Sequence, residues 1–431
     1  MWMRNDKRAK IGIITSIHME IECTYPGELK KEEEQRGGSF MGTRKVGRTT
    51  LKILILIIAM QDNGMGAATP ALGAISQAFP EVGYQVVSMI ATLSALMLAV
   101  MPIFYPKLVQ VLRKRSILLL AAALFVIGGV GPAFFSSSIY AILFFRFLLG
   151  AACGTFMPMC VDLIVDFFEG DERARMIGWS SAFTGLSGVM FQTLGGWLAS
   201  VHWSYCFFAY LVSIVLLMFP VLFLPEPPYR ERLTSEQQNS GNMRVKTPLS
   251  VWVIALFLGL YWMLAYVIIT NASTVLLEEG IAVQSQIGLI FSCMTLGTVL
   301  SSGLFGILLD KVGYAILPIG MLVGAASMAA AFMAHSIVGF VVAMFLLGLA
   351  GGVITPGVTE RNTSLVSYAG GTKAVSISYL FLGVGSFVSP FVFGNLGLSA
   401  RGQMCFAAIA FVVLAIALFF VNRAVEPKAK S

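Results

Sequence analysis

The sequence predicts an all-α integral membrane protein with twelve transmembrane helices in two pseudo-symmetric six-helix bundles. Of the 431 residues, 57% are hydrophobic and only 12% are charged, which is more apolar surface than a soluble core of this length can bury. The chain also repeats itself inside its hydrophobic sequence, because the segment 147–158 returns as the similar segment 345–356, 198 residues later. Two related membrane halves in one polypeptide are typical of a transporter.

The spans follow from apolar stretches of about 20 residues, the length that crosses a bilayer core. Spans one to twelve are predicted at 51–73, 85–105, 116–135, 140–164, 176–199, 204–224, 250–272, 285–308, 315–334, 337–358, 374–398 and 403–422. They give an N-terminal bundle at 41–224, a polar, proline-containing cytoplasmic linker at 225–249, a C-terminal bundle at 250–422 and a cytoplasmic tail at 423–431.

Lysine and arginine gather in the loops on one side of these spans. Arg113, Lys114 and Arg115 lie between spans two and three, whereas the loops of the other side contain only Arg401. Because basic residues accumulate in short cytoplasmic loops, both termini are predicted to be cytoplasmic in the cell membrane. The net charge of +7 then reflects basic loops beside a lipid bilayer, and no nucleic-acid partner is expected.

Residues 1–40 differ from the rest of the chain, with charge runs such as 30–34 and no apolar stretch long enough for a signal peptide. Two interpretations are open. The segment is a disordered cytoplasmic tail, or it is an extension upstream of a natural start at Met41, since codons for Arg36, Gly37 and Gly38 can form a purine-rich ribosome-binding site.

The segment 306–313, Gly-Ile-Leu-Leu-Asp-Lys-Val-Gly, resembles the G-x-x-x-D-[RK]-x-G signature of the major facilitator superfamily, and the resemblance extends from about residue 41 to the C-terminus. It implies that Gly306, Asp310, Lys311 and Gly313 form a gating motif in a tight cytoplasmic turn, with Asp310 locking the inner gate when shut. A simple interhelical turn is the alternative.

The corresponding first-half loop departs from that signature. Pro106, Gln110 and Arg113 stand where the family usually has Gly, Asp and Gly, and only the basic end of the motif remains. The lock is therefore expected to depend on Asp310.

Two charged residues within the spans are candidates for proton coupling. Arg146, with Gly150 and Gly154, resembles the family's R-x-x-x-G-x-x-x-G fourth helix, which implies proton coupling, while its second-half equivalent is Met344. Snorkelling to the outer surface is the alternative for Arg146. Asp62 lies about 18 Å into span one, near the bilayer midplane, and is the only carboxylate placed there. It is predicted to bind a proton or a cationic substrate, and a structural polar contact is the alternative.

A substrate cavity is expected where polar and aromatic residues share helix faces, because such side chains suit amphipathic ligands. The candidates are Asn63, Gln192, Tyr261, Trp262, Tyr266, Asn271 and Tyr379. Each has packing or lipid contact as its alternative, and Gln192 has ordinary interhelical hydrogen bonding. Span five resembles the glycine-rich fifth helix of antiporters, but Phe191 and Gln192 replace its Gly-Pro, which weakens a prediction of antiport.

These features predict a secondary active transporter that works by alternating access. The chain has no Walker-type loop, no nucleophile constellation and no metal-ligand spacing, so neither ATP hydrolysis nor enzymatic activity is expected, and no cofactor. The expected partners are a small-molecule substrate, protons and the bilayer, and the expected state is a monomer. Proton-coupled export of a hydrophobic or amphipathic solute is favoured. The alternatives are uptake of a small metabolite and a non-transporting receptor with the same fold.

Overall fold

The computed structural model describes residues 47–225, 248–366 and 371–425, which are helical apart from short turns and contain no strand. The predicted N-terminal extension, most of the linker and most of the C-terminal tail lie outside these residues. The described residues form twelve helical segments, six on each side of the linker, and these correspond in order to the predicted spans.

The first six spans are Arg48–Ala78, Tyr84–Val111, Lys114–Phe134, Ile139–Phe167, Gly170–Ala199 and Trp203–Phe223. The last six are Leu249–Glu278, Gln284–Val312, Ile316–Met333, Ile337–Ser364, Gly371–Gly394 and Ala400–Val425. Ten described stretches are long and apolar enough to cross a membrane, and one of them, Gln284–Met333, contains spans eight and nine. Span five is not among the ten, but it is a 30-residue helix packed against spans one and eight.

Span one is not the continuous helix that its apolar length predicts. Its first helix is Arg48–Asp62, followed by a 3₁₀ segment Gly64–Ala71 and a short helix Leu72–Ala78. Pro70 explains part of the break, since proline has no N–H and its ring clashes with the carbonyl four residues earlier, at Gly66. Glycine at 64 and 66 also disfavours an α-helix. The regular helix of span one therefore ends at Asp62, in the middle of the span.

Several helices continue beyond the predicted apolar stretches. Span eight runs to Val312, so Gly306, Asp310 and Lys311 lie in its last turns rather than in a loop. The expectation that Gly306 makes a tight turn is wrong: only Gly313, with φ of +59°, has the left-handed conformation that a turn requires. Span ten runs to Ser364 and therefore includes Glu360 and Arg361.

The internal repeat is visible in the packing of the two halves. Gly150 of span four faces the backbone of Ser94 in span two, and the equivalent Gly348 of span ten faces the backbone of Met294 in span eight. Small residues at such crossings let helix backbones approach closely. The repeated sequence thus encodes the same helix crossing twice.

Candidate functional site

Asp62 is positioned by the end of the first helix in span one. One of its carboxylate oxygens, Oδ1, is buried and has no hydrogen-bond partner among the described residues. The carboxylate lies within electrostatic range of Tyr379, which is half-buried on span eleven of the other half. A buried carboxylate oxygen without a partner is costly, so this position suits a group that binds a proton or a cation.

Arg146 is fully buried and does not snorkel to a surface. Its Nη2 donates to the Met65 carbonyl in the 3₁₀ segment of span one (3.0 Å) and its Nε to the Ile90 carbonyl of span two (2.9 Å). Nη1 donates to the Tyr210 hydroxyl of span six, also at 2.9 Å. The guanidinium also lies over the rings of Tyr210 and Phe207. Arg146 therefore joins four spans and holds the backbone just after Asp62, without an ion pair to it among the described residues.

Two of the predicted cavity residues pack where span five meets span one. Gln192 is only 5% exposed, lies against Gly66, and accepts a hydrogen bond from Thr295 of span eight at 3.1 Å. Asn63 is half-buried with its amide beside Gly188. Gln192 thus makes an interhelical contact between the halves, next to the break that carries Asp62.

The aromatic candidates on span seven occupy different surroundings. Tyr261 is fully buried inside the second half, where its ring packs on Phe411 and its hydroxyl lies 3.4 Å from the Leu347 carbonyl. Trp262 is half-buried, and its Nε1 donates to Thr355 of span ten at 3.2 Å. Tyr266, 7% exposed, lies 6.2 Å from Trp262 between ring centroids. Trp262, Tyr266 and Tyr379 remain candidates for a cavity wall, whereas Tyr261 packs within the bundle.

Asn271 lies near the end of span seven that is opposite the basic loops. Its Nδ2 donates to the Tyr84 hydroxyl of span two (2.8 Å) and to the side-chain oxygen Oε1 of Gln403 (3.0 Å). The Tyr84 hydroxyl is also 2.7 Å from the Thr270 hydroxyl. At the same end, the Ser273 hydroxyl donates to the Pro70 carbonyl of span one at 2.6 Å. The two halves are therefore joined at this end, which we name the closed end.

The closed end also contains an ion pair within the second half. Arg401 binds the Glu279 carboxylate and donates to the carbonyls of Phe332 and Ala334 at the end of span nine. Hydrogen bonds from Arg401 lower the pKa of the Glu279 carboxyl. The one basic residue predicted in these loops thus caps a helix and pairs with a carboxylate.

Replacing Tyr84 by phenylalanine is expected to loosen the closed end. The variant keeps the ring but loses the hydroxyl that meets Thr270 and Asn271, and two such hydrogen bonds stabilise the joined state by about 1–3 kcal/mol. Hydrogen–deuterium exchange of peptides covering 84–92 and 268–278 should then be about tenfold faster. Tyr205→Phe is the matched control, since Tyr205 is exposed in the same half. Equal exchange rates in the two variants would argue against a role of the Tyr84 hydroxyl in joining the halves.

At the opposite end, which carries the basic loops and is named the basic end, the halves are less closely joined. The hydrogen bonds between the two halves within the described residues all involve spans one, two and five at 70–84 or 189–193 with spans seven and eight at 270–295. Towards the basic end, a Cβ atom added at Gly178 in span five or at Gly303 in span eight would meet no atom of another helix within 4 Å. Asp310 and Lys311 are exposed there, and Asp310 makes no ion pair with another described residue.

A charge network at the basic end of the first half is not apparent from the sequence. Lys114 lies 2.6 Å from Asp162 and 2.5 Å from Asp166, both on span four, and the Tyr105 hydroxyl of span two donates to Asp162 at 3.0 Å. The surviving basic end of the first-half loop therefore binds span four. The four-residue spacing of the two aspartates, which places them on one helix face, is the signal that could have indicated a shared partner.

Comparison with known proteins agrees with this architecture. The model of the family described as the Major Facilitator Superfamily matches residues 53–284 and 275–431. The chain belongs to the major facilitator superfamily. It is accordingly a multi-pass membrane transporter of a non-enzymatic family, with the twelve-helix fold that the sequence predicts.

Solved structures of this superfamily have the same fold. A bacterial homologue of the human lysosomal transporter Spinster, inward-facing and unoccupied, is 19% identical with a TM-score of 0.70, covering 89% of this chain and 98% of that one. A D-xylose-proton symporter is 17% identical with a TM-score of 0.68, and the match again covers 89% of this chain and 98% of that one. At these identities the likeness establishes the fold alone.

Two curated relatives are bacterial multidrug transporters. The multidrug transporter protein MdtP of Bacillus subtilis is 27% identical over 184 residues, which are 41% of this chain and 32% of that protein. The multidrug export protein EmrB of Haemophilus influenzae is 25% identical over 91 residues, 20% of this chain and 18% of that protein. The chain thus spans about a third or less of the relatives it matches.

Proposed function

We propose that this protein exports small hydrophobic or amphipathic organic compounds across the cell membrane in exchange for protons, with both termini and the basic end on the cytoplasmic side. The observation that carries the proposal is Asp62, whose Oδ1 is buried beside the break in span one with no hydrogen-bond partner in the described part of the chain. Towards the other half, Tyr379 of span eleven lies in electrostatic range of this carboxylate. The names of the multidrug relatives support the substrate class.

In this proposal the two halves rock about the region of Asp62. With the basic end open, an amphipathic compound enters from the cytoplasmic side and contacts the aromatic wall of Trp262, Tyr266 and Tyr379. Its binding displaces the proton from Asp62, and the loaded carrier opens its closed end. Release outside lets Asp62 take up a proton again. For a neutral compound, one proton entering down 100 mV supplies about 2.3 kcal/mol, which supports a gradient of about 50-fold.

Arg146 supports this cycle in the proposal by fixing the backbone after Asp62. Its contact with the Met65 carbonyl ties span four to the break in span one. Movement of span one would therefore be transmitted to spans two, four and six as a unit. Gln192 and Thr295 keep spans five and eight in register beside the same break.

The proposal predicts that Asp62→Asn abolishes proton-dependent export. Efflux-deficient bacteria that express the transporter should accumulate about tenfold less ethidium than empty cells, and a protonophore should remove that difference. Asp62→Asn keeps the shape of the side chain but cannot exchange a proton, so its cells should accumulate as much ethidium as empty cells. Accumulation is followed by fluorescence, with membrane expression measured for every variant.

The matched control is Asp62→Glu, which keeps a titratable carboxyl and should retain part of the export. Addition of ethidium to inside-out vesicles with an acid interior should also release protons for the wild type and not for Asp62→Asn. Export that survives in Asp62→Asn would remove the proposed role of Asp62. No export of ethidium or of other lipophilic cations by the wild type would favour a carrier for a specific metabolite.

A further inference from the structure

The internal repeat allows the basic ends of the two halves to be compared residue by residue. Spans four and ten are related by an offset of 198, and the loops after spans two and eight by an offset of 200, which aligns Pro106 with Gly306. In the first half, Lys114 of the loop binds Asp162 and Asp166 of span four. This ion-pair network holds the loop against its own bundle.

The second half lacks three of the four side chains that make this network. Tyr314 stands in place of Lys114, Phe305 in place of Tyr105, and Ser364 in place of Asp166. The carboxylate of the network is retained as Glu360, the equivalent of Asp162. Glu360 makes no ion pair with another described residue, and its buried Oε2 has no hydrogen-bond partner among them.

A different contact joins the loop to span ten in the second half. Arg361 is only 4% exposed, and its guanidinium carbon lies 4.0 Å from the centre of the Tyr314 ring. The Tyr314 hydroxyl lies 3.4 Å from the Ser364 hydroxyl, the equivalent of Asp166. The Tyr314 carbonyl also accepts a hydrogen bond from Asn422 of span twelve at 3.1 Å. The residue equivalent to Arg361 in the first half is Leu163. The basic side chain of the contact is therefore Lys114 of the loop in the first half and Arg361 of span ten in the second.

We infer that the stack of Tyr314 on Arg361 is a tether that positions the gating motif Gly306–Gly313 against span ten, in place of the ion pairs that hold the first-half loop. Tyr314 directly follows Gly313, whose positive φ turns the chain out of span eight. A fixed Tyr314 therefore fixes the last turn of span eight, which carries Asp310 and Lys311. Tyr314 and Arg361 act through the motif as positioning residues, and this role rests on the gating function that the family resemblance implies for that motif.

The chemistry of the tether suits a buried position. A desolvated guanidinium over a tyrosine ring contributes about 2 kcal/mol without a carboxylate, whereas exposed pairs contribute less. Arginine is also the cation that stacks most readily, since its guanidinium is planar and weakly hydrated. The buried Nε and Nη2 of Arg361 have no hydrogen-bond partner within the described residues, whereas its guanidinium lies over the Tyr314 ring.

The test exchanges the second-half tether for the first-half one. Arg361→Leu introduces the residue found at position 163 and removes the stack. Tyr314→Lys introduces the residue found at position 114, but places its ammonium against Arg361. In the double variant Tyr314→Lys/Arg361→Leu the introduced lysine can pair with Glu360, as Lys114 pairs with Asp162. The tether is therefore expected to fail in each single variant and to be restored in the double variant.

The readout is the accessibility of the basic end, which needs no substrate. Gly303→Cys is a suitable probe because open space surrounds Gly303. Val299, one turn earlier on the same face, packs against Gly185 of span five, so closure of the basic end covers position 303. Labelling by a maleimide in membrane vesicles is measured in a background with Cys23, Cys293 and Cys405 replaced by serine.

Each single variant should label about fivefold faster than the parent, because a motif without its tether locks the closed basic end less well. The double variant should return to the parent rate, and adding Glu360→Gln to it should abolish that return. Glu360→Gln alone should change little. The inference would be overturned if Arg361→Leu labelled at the parent rate, or if the double variant labelled as fast as the single variants.

If the single variants do not fold, the yield of monodisperse protein is measured instead. The tether predicts that this yield recovers in the double variant and is lost again when Glu360→Gln is added. Absence of recovery in the double variant would again overturn the tether. Since labelling does not depend on transport, failure of ethidium export would leave this result standing, and failure of the tether would leave the export proposal standing.

Discussion

Replacing Arg146 by methionine is expected to lower the free energy of unfolding by about 3–5 kcal/mol and to abolish transport. The guanidinium is the shared donor for the Met65 carbonyl, the Ile90 carbonyl and the Tyr210 hydroxyl, all in different spans. Its removal leaves buried acceptors without a donor, and each such loss costs about 1–3 kcal/mol. The break after Asp62 then loses one of its contacts to the rest of the bundle.

Methionine is the informative replacement because the protein already uses it at the equivalent position. Met344 is fully buried in span ten, so the crossing encoded by the repeat tolerates an apolar side chain there. The helix packing of the variant should therefore persist in outline. Loss of stability would then be attributable to the missing hydrogen bonds rather than to a cavity.

Unfolding in mixed micelles measures the stability, and Tyr210→Phe provides the control. This variant loses one of the three hydrogen bonds and is expected to cost about 1 kcal/mol in the wild type. In the Arg146→Met background the same change should cost close to nothing, because its partner is already absent. Additive costs would show that Arg146 and Tyr210 do not interact in the way that the geometry indicates.

The spans were predictable because membrane crossing imposes a length and a composition that are local properties of the sequence. The repeat of 147–158 at 345–356 likewise predicts two similar halves. The equivalent glycines Gly150 and Gly348 lie at equivalent helix crossings. The midspan position of Asp62 also follows from counting residues along a helix. These inferences need no knowledge of which spans are neighbours.

The partners of the polar residues could not be predicted in this way. Asn271 looks like a cavity residue on a helical wheel, but its amide binds Tyr84, 187 positions away in sequence. Asp162 looks like a surface charge near a span end, but Lys114 and Tyr105 bind it. Such contacts depend on which helices become neighbours, and a single sequence carries no direct signal of that. The roles of Asp62, Arg146 and Asp310 in transport stay predictions.

Replacing Gly348 by valine is expected to cost about 3 kcal/mol or more and to prevent accumulation of folded protein. A Cβ atom at this position would overlap the Met294 carbonyl and lie 2.9 Å from the Thr298 nitrogen, both in the backbone of span eight. Backbone atoms cannot move aside as a flexible side chain can, so spans eight and ten must separate. The gating motif ends this same span eight, so transport should be lost when the span is displaced.

Gly303→Val is the matched control in span eight, where a Cβ meets no atom within 4 Å. It should change stability by no more than about 0.5 kcal/mol, as surface substitutions usually do. Gly150→Val should resemble Gly348→Val, since a Cβ there lies 2.5 Å from the Ser94 carbonyl oxygen. The measurement is the yield and melting temperature of detergent-purified protein. Normal folding of Gly348→Val would mean that the close crossing, and with it the structural meaning of the repeat, is wrong.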